Sequence, residues 1–186
     1  MDLYSIEYLS LAIIDVIMMD VFEAIRTRRS FRKYADKKIE KGKLDKILEA
    51  GRLSLSANNQ QPYCFVVVTD SNTIEKVSSA CNQDWQAPAM IITCAFPEKA
   101  WIRDDGEEIW KVDVAIALNN IVLTAWEEGL GTCWIAAFRE NELKKVLGIP
   151  EEVRVISLTT LGYPAVEKGP VTRRKTIDEL VRYDHW

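Results

Sequence analysis

The sequence predicts one domain built on a β-sheet with helices covering both faces. Three observations predict it. Four short runs rich in β-branched and other apolar residues alternate with helix-like segments. One of those segments, 112–128, is apolar almost all round, the pattern of a helix buried at the centre of a fold. The 186 residues contain no repeat, low-complexity tract or linker, and a chain of that length closes one real core.

Each element has a local cause. Asp20 is placed to cap a first helix through Val21, Phe22, Ile25 and Arg26. Residues 43–53 form a second helix, with Leu44, Ile47 and Leu48 on one face. The polar run Ser54 to Pro62 is a loop, and Tyr63 to Thr69 is a buried strand. A short helix over 73–81 precedes a second buried strand over 89–96. Asp104-Asp105-Gly106 marks a turn before the long helix, which Gly129 or Gly131 ends. A third strand is expected over 132–138 and a helix over 140–147, stopped by Gly148 and Pro150. The fourth strand is 153–161, ended by Gly162-Tyr163-Pro164. Periodicity leaves the strand order open.

Composition narrows the function. Charged residues are 28% and apolar residues 48%, ordinary for a globular protein. A net charge of −4 provides no basic field to recruit nucleic acid or an anionic membrane, so neither partner is expected. The only histidine is His185, which rules out Ser-His or Cys-His nucleophile pairs and multi-histidine metal sites. An enzyme with this sequence would leave its chemistry to a cofactor. The four cysteines include no C-x-x-C and read as small buried hydrophobes in a reducing, cytoplasmic setting, with no metal site. The segment 1–19 is apolar but interrupted by Glu7 and Asp15, without a basic start or small-residue cleavage site. It reads as an added amphipathic helix, or as sequence ahead of a start at Met18 or Met19; the domain proper is 20–186.

Four constellations could bind a ligand. Arg28-Arg29-Ser30-Phe31-Arg32 offers three guanidinium forks and a hydroxyl, suited to phosphate oxygens. The Ser56–Gln61 loop offers hydroxyls and amides but no charge, suited to the heteroatom edge of a flat ring. In the run Gly129 to Phe138, the small residues Ala136 and Ala137 let backbone approach a ligand closely. Arg173-Arg174-Lys175 forms a second cationic cluster. Taken singly, each also fits a solvated face or an ordinary turn. There is no G-x-x-x-x-G-K-[ST] and no G-x-G-x-x-G, and the acidic run 104–108 reads as a solvated loop.

Together, and in this order, these pieces resemble the FMN-dependent nitroreductase family. The matching segments are Arg28 to Arg32, Ser56 to Tyr63, Gly129 to Phe138, Leu161 to Pro164, and Arg174 ahead of Asp178-Glu179-Leu180-Val181. The resemblance implies an α+β fold: a three-layer α/β/α sandwich with a central mixed, largely antiparallel sheet. It also implies an intertwined homodimer with FMN at the interface. By that resemblance Arg28, Ser30 and Arg32 contact the phosphate, ribityl chain and pyrimidine edge, with Arg29 the variable member of the group. Arg174, with Arg173, adds to the phosphate grip. Ser56, Ala57, Asn58 and Asn59 come from the other subunit, with Gln61 a lesser candidate. Ala136 and Ala137 lay backbone amides against the ring, and Gln83 lies near it.

The implied reaction is ping-pong hydride transfer from NAD(P)H, through flavin N5, to a small oxidised acceptor such as a nitroaromatic or quinone. Alternatives on the same scaffold are flavin storage with little turnover, flavin fragmentation and reductive dehalogenation. Leu55 stands where the family usually has proline, and Tyr63 where it often has tryptophan. The short stretch between Phe96 and Trp110, where larger members shape the substrate pocket, leaves the acceptor open.

Overall fold

The computed structural model describes residues 19–186; residues 1–18, and with them most of the predicted N-terminal extension, lie outside the described residues. Helix α1 is Val21–Thr27, and the Asp20 side chain accepts from the Glu23 N–H at 2.8 Å, the cap expected from sequence. Helix α2 is Lys41–Arg52 and strand β1 is Tyr63–Val68. Helix α3 is Ser71–Ala80. It begins two residues before the predicted start because Asp70 caps it, accepting from the Thr73 N–H at 2.8 Å. Strand β2 is Ala89–Ala95, helix α4 is Trp110–Glu127 and strand β3 is Gly131–Ile135. Helix α5 is Glu140–Leu147, strand β4 is Arg154–Gly162 and helix α6 is Ile177–Leu180.

The strands form one sheet in the order β1-β2-β4-β3, with every neighbouring pair antiparallel. The expected mixed character reduces, among the described residues, to one isolated parallel bridge between Ser30 and Thr132. The predicted third strand was too long. Its last ladder partner is Ile135 opposite Leu158, and Ala136 to Phe138 leave the sheet.

Two apolar layers sandwich the sheet, as the resemblance implied. On one face Ile47 of α2 and Leu118 and Ile121 of α4 pack on Ile91 and Leu161. On the other, Ile74 and Val77 of α3 and Leu143 of α5 pack on Ile92 and Leu158. Strand β2 is buried along its whole length, which is why it reads as an unbroken apolar run rather than an alternating one. Strand β1, at the sheet edge, is only half-buried over most of its length. Helix α4 ends where expected: Gly129 adopts φ 76°, and the Leu130 N–H turns back onto the Ala125 carbonyl at 2.8 Å.

Candidate functional site

The arginine segment is an extended strap between α1 and β3. Ser30 bridges Thr132 in parallel fashion, and the Phe31 N–H donates to the Thr132 carbonyl at 2.8 Å. Phe31 is buried and stacks on Trp126 at 5.6 Å between ring centroids. The Trp126 indole N–H in turn donates to the Thr27 hydroxyl at 2.8 Å. A Cβ at position 131 would lie 2.8 Å from Phe31, so Gly131 is what lets the strap approach β3. Trp126 is thus tied into the protomer on two sides, whereas Trp134 on β3 is partly exposed.

This strap brings distant cations together. Arg28 is held below its ordinary value by burial first, then by the charges of Arg174 and Arg29. Arg28 and Arg174 thus share one electrostatic neighbourhood although 146 positions separate them. Arg29 donates to the Gly169 carbonyl, which joins the C-terminal segment to the strap. Lys168, which sequence reasoning missed, donates to the Ser30 carbonyl at 2.6 Å and lies 5.4 Å over the Phe31 ring. Its adjacency to the Gly169-Pro170 turn was the available signal. Burial raises the pKa of the Cys133 thiol, against the charge of Arg32 and the Ser30 hydroxyl.

Among the described residues, Arg28, Arg29, Arg32, Arg173 and Arg174 form no salt bridge with a carboxylate. A half-buried guanidinium beside like charges and without a counter-ion is the donor set that fits a phosphate. Arg32 lies 5.6 Å over the Trp85 ring, and both line a cleft of about 780 Å³ with Tyr34, Asp84, Gln86 and Ala165. That volume suits a small-molecule site, usually roughly 300–1,000 Å³. Gln83 sits just ahead of Trp85, its N–H on the Ser78 carbonyl at the end of α3. Ala136 and Ala137 are exposed immediately after β3.

The amide loop is built differently. Ala57–Asn59 is a single 3₁₀ turn, and Asn58, Asn59 and Gln61 all hold left-handed φ of 49°, 54° and 50°. Asparagine tolerates that region better than most side chains, which accounts for the paired amides at 58 and 59. The Ser56 hydroxyl accepts from the Gln61 N–H at 2.9 Å. The loop is pinned by Asp113, only 1% exposed, whose Oδ1 accepts from the Ala57 N–H at 2.9 Å. Its other oxygen, Oδ2, is buried without a partner. Asn120 also reaches in, donating to the Ser54 hydroxyl at 2.8 Å. Asp113 was missed from sequence; an acid inside an otherwise apolar helical run was the signal.

One protomer does not bring the two halves together. The loop hangs on Asp113 near the start of α4, and the strap hangs on Trp126 near its end. The intervening helix spans roughly 20 Å at 1.5 Å per residue.

With this geometry in place, comparison with known proteins is decisive. A model described as the Nitroreductase family matches residues 25–90 and 82–163. The chain belongs to the nitroreductase family. A protein of Archaeoglobus fulgidus, provisionally named NADH dehydrogenase/NAD(P)H nitroreductase, is 37% identical over 81% of this chain and 89% of its own. The FMN reductase [NAD(P)H] of Bacillus subtilis is 32% identical over 80% of this chain and 67% of its own. The crystal structure of a nitroreductase family protein from Clostridium difficile 630 superposes with TM-score 0.83 and 30% identity. That match covers 90% of this nitroreductase chain and all of the other. Among the described residues no helix is long and apolar enough to cross a membrane, and no cluster of metal-ligating side chains is found.

Proposed function

We propose that this protein is an FMN-dependent oxidoreductase that uses NAD(P)H to reduce a small oxidised acceptor, working as a homodimer. The observation that carries the reading is the unneutralised cationic cluster around Arg28 and Arg174 on a nitroreductase fold. The names of the relatives, FMN reductase and NAD(P)H nitroreductase, support the same cofactor and donor.

The chemistry that FMN supplies when bound is hydride uptake from a reduced nicotinamide and release to an acceptor such as a nitroarene or quinone. The chain's own residues bind and polarise. Arg28 and Arg174, with Arg173 at the rim, hold the phosphate. Arg32 and Ser30 serve the ribityl chain and the pyrimidine edge, where positive charge stabilises developing negative charge. Ala136 and Ala137 present backbone amides, and Gln83 stands beside them. Ser56, Ala57, Asn58, Asn59 and Gln61 complete the site from a second copy, which answers the separation of the two halves along α4.

The surface supports a dimer. Val21 and Phe22 of α1 are each 73% exposed, and Leu53 and Leu55 stand out of the loop base at 66% and 69%. Ile177, Leu180 and Tyr183 of the C-terminal segment are also exposed. Such apolar exposure marks a surface made for a partner.

The visible absorption spectrum of the purified protein, followed by addition of NADH or NADPH, tests this. We expect a yellow protein that bleaches and recovers its colour on adding a quinone. A protein that stays colourless after soaking in FMN would refute the proposal.

A further inference from the structure

The sheet carries a pair of redox-capable side chains on β1 and β2, away from the strap, which lies along β3. Cys64 and Cys94 are direct cross-strand partners in the β1–β2 ladder. Both side chains face the α3–α5 layer: Cys94 is a member of that core cluster and Cys64 packs against it. Two residues along the ladder the Phe96 N–H donates to the Pro62 carbonyl at 2.9 Å. By antiparallel alternation, Cys64 and Cys94 therefore form a hydrogen-bonded pair, with Cα atoms about 5.5 Å apart. That lies inside the roughly 4.4–6.8 Å window of disulfides. The two thiols stand opposite each other in the ladder, and the interaction with Cys94 lowers the Cys64 thiol to about 7, against its own burial and helped by Lys99, while it raises Cys94. Cys64 is half-buried on the edge strand, within reach of a small oxidant. The other thiols lack this arrangement. Cys133 faces Thr160 across its ladder, and burial raises Cys81 to about 11.

We propose that Cys64 and Cys94 form a peroxide-oxidisable dithiol, a modification site that closes to a cross-strand disulfide. The Cys64 thiolate attacks one peroxide oxygen, breaking the O–O bond. This leaves a sulfenic acid on Cys64, and the departing hydroxide takes a proton to become water. The Cys94 sulfur then attacks the Cys64 sulfur, forming the S–S bond and expelling the sulfenic oxygen as a second water. Two thiols lose two electrons and two protons, and one hydrogen peroxide becomes two waters.

The test treats the full chain with hydrogen peroxide and reads intact mass and a peptide map. The expected result is loss of two hydrogens, a Cys64–Cys94 linked peptide, and reversal by dithiothreitol. Cys94→Ser should stop at a dimedone-reactive sulfenic acid on Cys64, whereas Cys81→Ser should close as the parent does. The proposal is overturned if peroxide leaves both thiols free, or if Cys64 links to another cysteine or to a second chain. Sulfinic acid on Cys64 while Cys94 is present would overturn it equally. Should Cys94→Ser not fold, the peptide map of the unsubstituted protein decides alone.

Discussion

The two ends of helix α4 carry the two halves of the candidate site, and they are built on opposite principles. At the C-terminal end, the strap gathers arginines whose charges repel one another and, among the described residues, form no salt bridge with a carboxylate. At the N-terminal end, the loop holds uncharged amides in left-handed backbone conformations, secured by one buried acid. The first leaves its charge available to an anion. The second has its backbone fixed in advance by bonds from the Ala57, Asn59, Gln60 and Gln61 N–H groups. The contrast teaches that, on the proposed reading, affinity and shape fall to different regions: charge would supply the grip, and a preformed turn the fit.

Substitutions break the comparison in graded steps. The largest effect is expected at the cationic end. Arg28→Ala should weaken FMN binding about 10- to 100-fold in equilibrium dialysis, since a charge-assisted bond contributes about 1.5–3 kcal/mol. Thermal stability of the flavin-free protein should hold or rise, because a partly desolvated, mutually repelling charge is removed. Unchanged FMN affinity would remove Arg28 from the site. At the amide end the order reverses. Asp113→Ala leaves the partly buried Ala57 N–H without its acceptor and should cost about 1–3 kcal/mol in denaturant unfolding. Asp113→Asn, which keeps an acceptor, should lose less; equal losses would mean that this bond does not hold the loop.

A smaller effect is expected from Trp126→Phe. It keeps the stack on Phe31 but loses the bond to Thr27, which contributes about 0.5–1.5 kcal/mol. The smallest lies away from both ends. Glu140 is opposed first by burial, which would raise its pKa. Arg154, the Val155 N–H and Lys144 nevertheless hold it below its ordinary value. Its stabilisation is present above the unfolded carboxylate value of about 4.3 and is lost as pH falls through the lowered folded value. Glu140→Gln should flatten that acid slope in pH-dependent unfolding and leave flavin binding unaltered.

Much of this was legible in the residues. Asp20, Gly129 and Gly148 marked helix ends through their side chain or their lack of one, and the β-branched runs marked all four strands. Strand order was not legible, because which apolar run pairs with which depends on faces that meet only in three dimensions. Ala136 and Ala137 looked like strand because the run is apolar, yet the ladder ends at Ile135 opposite Leu158. The arginine cluster could be assembled only by adding family resemblance to local pattern, since Arg28 and Arg174 are adjacent through folding alone. Asp113 and Lys168 were passed over for opposite reasons. One is a lone acid inside an apolar helix, and the other is one lysine among many on a surface.

The stack of Phe31 on Trp126 has a practical consequence. The indole is clamped on one side by an aromatic ring and tied at its nitrogen, a few residues along the strap from Arg28. Its emission will be sensitive to any chromophore or charge that settles beside it. The part of the intrinsic fluorescence quenching that disappears in Trp126→Phe would then serve as a label-free gauge of occupancy at the cationic end.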